Sequence, residues 1–416
     1  MKRRSNKQTS TLRVLSSVLL LALGATLAPK ASAGISEPCV YQNYKILNVW
    51  KHLNSERHMV VVIAHRGWWG NEKGPANTCG ARNDRASGDP ENSIYAVQDA
   101  LHGGFEAVEV DIKMTRDGIP ILMHDFTLGR TTDIYQGSGQ RKFDPYAQSH
   151  NQPQGYNPYV NQVNWYGNLE HHYLLSPDRS KVYNQHIPAF AQLLDEYRLG
   201  ETSGIIVLDV KDRASMQSVW RLMNNHRDSH GSLARNWVAV KFNVSTYPNP
   251  ADLEADLYKS ANPHNDNSQE PFLGIPVLTN NMLDKYRNLI DIEKNYMTKD
   301  YTLGVEVNIN TKNGRLQNAY NVVGQYRKPV GIFNPIADPG AWSGDGQNRA
   351  FFQNTGQCCY RLWSVAYGDN TVSRWDWSFL YGNGWKSFDF ITTDAAGKMI
   401  DDLASKGLRW DNNSMR

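Results

Sequence analysis

Residues 59–64, MVVVIA, form an unbroken apolar and mostly β-branched run that stops at His65. Such a run between polar residues is what a strand buried on both faces of a parallel sheet requires. Helical spacing follows at Ile94, Val97 and Leu101, entered after Pro90-Glu91 and stopped by Gly103-Gly104. Residues 107–112 read as the next strand, Asp117-Gly118 as a turn, and 119–123 as another strand. The alternation resumes with a helix over 187–199, a strand over 204–210, a helix over 216–223 and a strand over 238–242. Further strands are expected over 272–278, 303–307, 330–333 and 388–392, and a last helix over 395–403.

Strands alternating with helices predict an α/β fold: a parallel sheet wrapped in helices, as in a TIM-type (β/α)8 barrel with long loop insertions. The strand candidates outnumber the eight of such a barrel, so one of the two between 272 and 307 is expected outside it. The step from 107–112 to 119–123 lacks a crossover helix. Three stretches interrupt the pattern, near 68–89, 135–185 and 339–384, and loops of that length in an enzyme usually form lids or binding walls.

Residues 1–33 stand apart from the pattern. Lys2, Arg3, Arg4 and Lys7 make a positive start, 14–28 is apolar but short for a bilayer span, and Ala31-Ser32-Ala33 is a small-x-small cleavage site. This is the layout of a signal peptide cut before Gly34, so a secreted or periplasmic protein is expected, with 34–416 as a single barrel domain. Cys39 lies beyond the cut, which argues against lipid attachment there. No later stretch reaches the ~20 apolar residues of a transmembrane helix. The leader carries six basic and no acidic side chains; without it, 38 basic residues face 41 acidic ones, a charge near −3. A slightly acidic mature chain removes the usual reason to expect a nucleic-acid partner. Cys39, Cys79, Cys358 and Cys359 are an even count in an exported chain, which predicts two disulfides. Joining Cys358 to its neighbour Cys359 would strain the chain, so each is expected to bridge to Cys39 or Cys79.

Chemistry collects where three apolar runs end: His65-Arg66-Gly67, Glu109-Val110-Asp111 and His124-Asp125. Glu109 and Asp111 are two apart on a strand and share a face. A lone E-x-D is often just a solvated face, but here Val108 and Val110 alternate with the acids. Two carboxylates so placed repel unless something positive lies between them, and one hard divalent cation, Mg²⁺ or Ca²⁺, takes oxygen ligands. Asp209 and Lys211 end the run IIVLDVK in the same way. Asp209 is thus a third candidate ligand and Lys211 a partner for a phosphate oxygen, although alone they would read as an internal ion pair. A single histidine at a strand end is usually a satisfied core or surface residue. Two at equivalent strand ends, beside a cation site, can act as base or nucleophile and as general acid. At the C-terminal rim of a parallel barrel such groups converge on one pocket. Arg66 offers a planar fork to phosphate, and Glu91 is placed to pin Arg66 or to ligate the ion.

HRG at 65–67, PENS at 90–93, EVDIKMTRDG at 109–118 and HDFTLGRTT at 124–132 resemble the glycerophosphodiester phosphodiesterase family. IPAFAQLLDEY at 187–197 looks like the helix before the family's fourth strand, and DFITTD at 389–394 looks like its last strand. The likeness is specific over about 59–132 and sparse but ordered beyond, and the insertions have no counterpart. It implies a TIM-type barrel, a bound divalent cation and hydrolysis of phosphodiesters. Carried over by motif, it implies His65 and His124 as the catalytic pair, Glu109 and Asp111 as metal ligands, and Arg66 and Lys211 as phosphate contacts. One position departs: the family's Glu-x-Lys on strand four is here Asp209-Val210-Lys211, similar to the related sphingomyelinase D and phospholipase D branch. That branch's ATxxDNPW-like motif is missing, and the PENS and RTT segments look like the hydrolase branch.

The expected reaction is cleavage of a glycerophosphodiester to glycerol 3-phosphate and an alcohol, with His124 as acid and His65 as base or nucleophile by resemblance. The alternative is a phospholipase D or sphingomyelinase D acting on lysophospholipid or sphingolipid headgroups. In that case Trp342, Trp363, Trp375, Trp377 and Trp385 would meet a membrane surface or enclose a quaternary ammonium. The expected partner is a small or lipid-derived phosphodiester, with transient membrane contact at most, and a monomeric chain. A barrel that merely binds phosphate or glycan has no need of two proton-transfer groups.

Overall fold

Eight of the apolar runs pair in parallel and close on themselves, which leaves no unpaired edge among them. The computed structural model describes residues 45–409 apart from 56–58, 71–87, 103–104, 145–146, 148–153, 178, 200–203, 261–271, 280–281, 310–315, 335–380 and 383–384. The chain divides into a unit of residues 1–34, outside the described residues, and a unit of residues 35–416 that holds everything below. The strands are β1 (Val61–Ala64), β2 (Ala107–Met114), β3 (Pro120–Leu122), β4 (Tyr173–Leu175), β5 (Val182–His186), β6 (Ile205–Val210) and β7 (Val238–Asn243). They continue as β8 (Gly274–Leu278), β9 (Val305–Val307), β10 (Val330–Asn334), β11 (Tyr381–Gly382), β12 (Trp385–Lys386) and β13 (Phe390–Thr393). Parallel pairing runs β1-β13-β10-β9-β8-β7-β6-β2, and Ile63↔Ala107 and Ala64↔Val108 join β2 back to β1. The helices are α1 (Ile46–Ser55), α2 (Ile94–His102), α3 (Phe190–Leu199), α4 (Arg213–Asn225), α5 (Pro250–Ser260), α6 (Leu289–Met297), α7 (Gln317–Val323) and α8 (Ala396–Ser405).

The strand outside the barrel is β3, not one of those between 272 and 307. It pairs antiparallel with β2 through Ile112↔Leu122 and Met114↔Pro120, around a turn in which Gly118 has φ +80°. A hairpin needs no crossover helix whereas a parallel step does, which explains the helix missing from the sequence there. The 135–185 stretch is built onto this hairpin. It contains the antiparallel β4–β5 pair, and Leu128, Trp165, Leu169 and Leu174 pack with Ile121 and Met123 in a separate apolar cluster. The helix expected from 187 starts at Phe190 instead. Ile187 N–H and Pro188 C=O are taken by His172 and Leu122, which holds those residues extended.

Helix α1 escaped the sequence reading although its signal is ordinary. Ile46, Val49, Trp50 and Leu53 recur at helical spacing and are buried against Met59, Val61, Ile205 and Val207. The helix therefore closes the N-terminal end of the barrel with hydrocarbon. Inside that end, Phe390 fills the space beside β10, where Gly331 is its register partner; a Cβ at 331 would run into the Phe390 ring. Gly331→Ala is expected to destabilise the fold by about 1–3 kcal/mol, the usual cost of overpacking. Urea denaturation checks it; an unchanged midpoint would mean that the ring has room to shift.

Candidate functional site

Along the barrel strands the inward positions change from apolar to polar or charged. Ala107 is followed by Glu109 and Asp111 on β2, Val207 by Asp209 on β6, and Ala239 by Lys241 and Asn243 on β7. The polar residues among these border a cavity of about 350 Å³ at the C-terminal mouth, together with His65, Arg66, His124 and Lys211. All but one of the site residues expected from the sequence thus face one space. Glu91 is the exception and lies behind Arg66, whose Nη1 it accepts at 3.0 Å.

The two histidines are held alike but arrive differently. His65 follows β1, and its Nδ1 lies 2.6 Å from Asp394 Oδ1, on the residue after β13. His124 is not at the end of a barrel strand. It follows β3, and the Met123 N–H donates to the Asp111 carbonyl at 2.9 Å, so the hairpin brings His124 back beside Asp111. Its Nδ1 lies 2.8 Å from Asp125 Oδ1. Each ring therefore spends Nδ1 on a carboxylate and keeps Nε2 for another partner; for His65 that partner is Arg66 Nε at 3.3 Å. Burial works against charge on both rings. At His65 the Asp394 and Glu109 carboxylates outweigh burial and the opposing Arg66, so its pKa is raised above the ordinary imidazole value. At His124 burial and the Arg66 guanidinium act together and push it down to about 4.

Glu109 Oε2 accepts the Arg66 N–H at 3.1 Å and stands 3.9 Å from His65 Nε2. Asp111 accepts from Lys211 Nζ at 3.1 Å and from Asn92 Nδ2 at 3.1 Å. Burial and the neighbouring Asp111 push Glu109 up to about 7. Burial acts on Asp111 in the same sense, but Lys211, His124 and Arg66 hold its carboxyl well below the usual range. His65, Glu109 and Asp111 offer ligand atoms within 4.8 Å of one another, all three buried. Two carboxylates and an imidazole suit a divalent cation, and the raised Glu109 pKa is the mark of a carboxylate short of positive charge. Asp209 lines the same cavity outside that tight group, with Lys211 Nζ 3.3 Å from its Oδ2. A cation must displace the Glu109 proton, so affinity should weaken as pH falls through about 7. Calorimetric titration with Mg²⁺ or Ca²⁺ at pH 8 and pH 6 measures this, and tighter binding at pH 6 would contradict it.

Behind the mouth runs an ion network that the sequence reading did not assemble. Arg130, from the RTT motif, donates to Asp125 at 2.6 and 2.9 Å and to Glu91 at 2.8 and 2.5 Å. It ties the carboxylate that holds His124 to the one that holds Arg66. Arg66 and Asn92 both adopt left-handed backbone, φ +61° and +56°, and the Asn92 N–H donates to the Arg66 carbonyl at 2.9 Å. Asp394 was legible only as part of a motif, and Lys241 and Glu306 carried no signal beyond one polar residue in an apolar strand. Arg130→Met takes the shared guanidinium from two buried carboxylates, leaving Asp125 to His124 and Glu91 to Arg66 alone, and is expected to cost about 3–5 kcal/mol. Thermal unfolding tests that figure; a loss under about 1 kcal/mol would mean that the carboxylates find other partners.

Cys39, Cys79, Cys358, Cys359, Trp342, Trp363, Trp375 and Trp377 lie outside the described residues, as do most of 68–89 and 339–384. Trp385 is in β12.

Residues 65–248 match the model of the Glycerophosphoryl diester phosphodiesterase family. Glycerophosphodiester phosphodiesterase 1 of Homo sapiens is 54% identical over 44 residues, 11% of this chain and 13% of that protein. Glycerophosphodiester phosphodiesterase of Bacillus altitudinis is 34% identical over 76 residues, 18% of this chain and 24% of that protein. The matched segments thus span under a quarter of these curated relatives' length. The crystal structure of a Glycerophosphoryl diester phosphodiesterase from Parabacteroides distasonis superposes with a TM-score of 0.50 at 14% identity, over 88% of this chain and 93% of that one, a likeness of fold.

Proposed function

We propose that this chain, whose 65–248 segment matches a phosphodiesterase family model and contains the eight site residues read from the sequence, is a phosphoric diester hydrolase. Its reaction is cleavage of glycerophosphodiesters to glycerol 3-phosphate and an alcohol. The observation that carries the reading is a repeated device: two histidines, each with a carboxylate at Nδ1, border one cavity beside two buried carboxylates. A carboxylate at Nδ1 favours the tautomer with the proton there, so Nε2 is the nitrogen that exchanges protons with substrate.

In this proposal His65 serves as base or nucleophile, taking a proton from water or a substrate hydroxyl or attacking directly. His124 protonates the leaving alkoxide. Its pKa near 4 suits that task only when a phosphate sits beside it, because the anion offsets the pull of Arg66 and raises the ring's proton affinity. Arg66 and Lys211 hold the phosphate oxygens. Glu109 and Asp111 hold the cation; with Asp209 as third ligand, His65 Nε2 stays available for proton transfer. When bound, Mg²⁺ or Ca²⁺ there would stabilise charge growing on the phosphate oxygens. Glu91, through Arg66, is a positioning residue. The signal peptide read in residues 1–33 makes an exported enzyme part of the same proposal, acting as a monomer. No helix among the described residues is long and apolar enough to cross a membrane.

The deciding assay treats the protein with EDTA, adds Mg²⁺ and Ca²⁺ back separately, and follows glycerophosphodiester and lysophospholipid cleavage. Activity lost and then restored by one cation is expected; activity indifferent to EDTA would remove the cation from the reading. His124→Ala should cut kcat by about 10² or more. A near wild-type kcat in that variant would discard the acid assignment.

A further inference from the structure

The cavity wall made by β7, β8 and β9 takes no part in the chemistry above. Its deeper layer is Lys241 and Glu306, 2.6 Å apart, with Thr392 donating to Glu306 at 3.2 Å, so these charges are spent on each other. One layer nearer the mouth stand Asn243, ending β7, and Asn308, just after β9. Each carboxamide is anchored by its oxygen. Asn243 Oδ1 accepts the Ser245 N–H at 2.8 Å, and Asn308 Oδ1 accepts the Phe333 N–H at 2.9 Å. Only the amide oxygen can meet a backbone N–H, so the –NH2 end of each is the part left for the cavity. Ser245, Thr246 and Thr279 add hydroxyls along the same arc. Among the described residues of this wall, the one carboxylate, Glu306, has a lysine partner. Among the described residues the one carbocyclic aromatic bordering the cavity, Phe333, packs 4.6 Å from the His65 ring.

We propose that this neutral arc reads hydroxyl groups on the substrate alcohol, so that preferred diesters carry a polyhydroxylated headgroup, such as a second glycerol or a cyclitol. The inference rests on the phosphodiesterase reading of the site. An ammonium headgroup has no lone pair to offer an amide N–H and needs an unpaired carboxylate or an aromatic face. A polyol meets both amides with its oxygens and passes its own protons to the neighbouring serine and threonine hydroxyls. A diester with hydroxyls on both alcohols fills the arc whichever way round it lies; glycerophosphocholine does so in one orientation only.

The test is kcat/KM of the cation-loaded protein for glycerophosphoglycerol, glycerophosphoinositol, glycerophosphocholine and glycerophosphoethanolamine, in the wild type, Asn243→Asp and Asn308→Asp. Aspartate keeps the oxygen that meets the backbone N–H and deletes the donor, and thermal melting verifies that the fold persists. The wild type should favour the two hydroxylated headgroups by about tenfold or more. In Asn308→Asp that ratio should fall by about tenfold, mainly through KM, in favour of the ammonium headgroups. A purely structural role would lower all four substrates together. Equal kcat/KM across the wild-type panel, or ratios unmoved in both variants, would overturn the arc and leave the phosphodiesterase standing. No cleavage of any member with any divalent cation would overturn both. Should a variant melt early, inhibition of the wild type by free glycerol against free choline decides: stronger inhibition by choline overturns the proposal.

Discussion

Two like charges side by side in a buried wall are the constraint on which this site depends. Glu109 and Asp111 share the inner face of β2, both buried, and neither can be ionised cheaply without positive charge close by. The surroundings answer unevenly. Asp111 receives Lys211, Asn92 and the approach of Arg66 at 3.5 Å, while Glu109 receives a backbone N–H and stays partly protonated near neutrality. The protein thus supplies strong counter-charge to one carboxylate and much less to the other, which makes the pair a candidate cation site.

The barrel makes that arrangement tolerable by separating the two ends of its interior. Hydrocarbon from α1 and the first half of each strand fills one end, so the charged positions collect at the other, where the β2–β3 hairpin can lay His124 across them. Arg130 then braces the arrangement from behind, because it binds at once the acid that orients His124 and the acid that orients Arg66. Losing that guanidinium would disturb two side chains that border the cavity, although Arg130 does not line it.

The mouth is also asymmetric in chemistry. Titratable groups lie on β1, β2, β6 and the hairpin, whereas the rim over β7 to β9 presents amides and hydroxyls above an internally neutralised Lys241–Glu306 pair. The phosphodiester proposed as substrate has the same asymmetry, an anionic centre flanked by neutral or cationic alcohols. Division of labour within one cavity therefore follows from which strands end in acids and which end in amides.

Much of this was legible in the chain itself, because strand-end polarity is a local property. Buried runs ending in His65, in Glu109 and Asp111, and in Asp209 and Lys211 announce both a parallel sheet and the rim where its chemistry sits, since alternation sends residues two apart to one face. Local pattern also contains α1, in the helical spacing of Ile46, Val49, Trp50 and Leu53. What no local pattern holds is distance across the barrel. The partner of His65 is 329 residues away at Asp394, and the strand set aside from the barrel proved to be β3, because whether a strand continues the parallel ring or folds back on its neighbour depends on pairing geometry. Lys241, Glu306 and the two anchored asparagines acquire meaning only when closure of the sheet sets their strands against the others. Side-chain identity is written residue by residue, but charge compensation and cavity shape are properties of neighbours in space, and the closed ring of strands decides who those neighbours are.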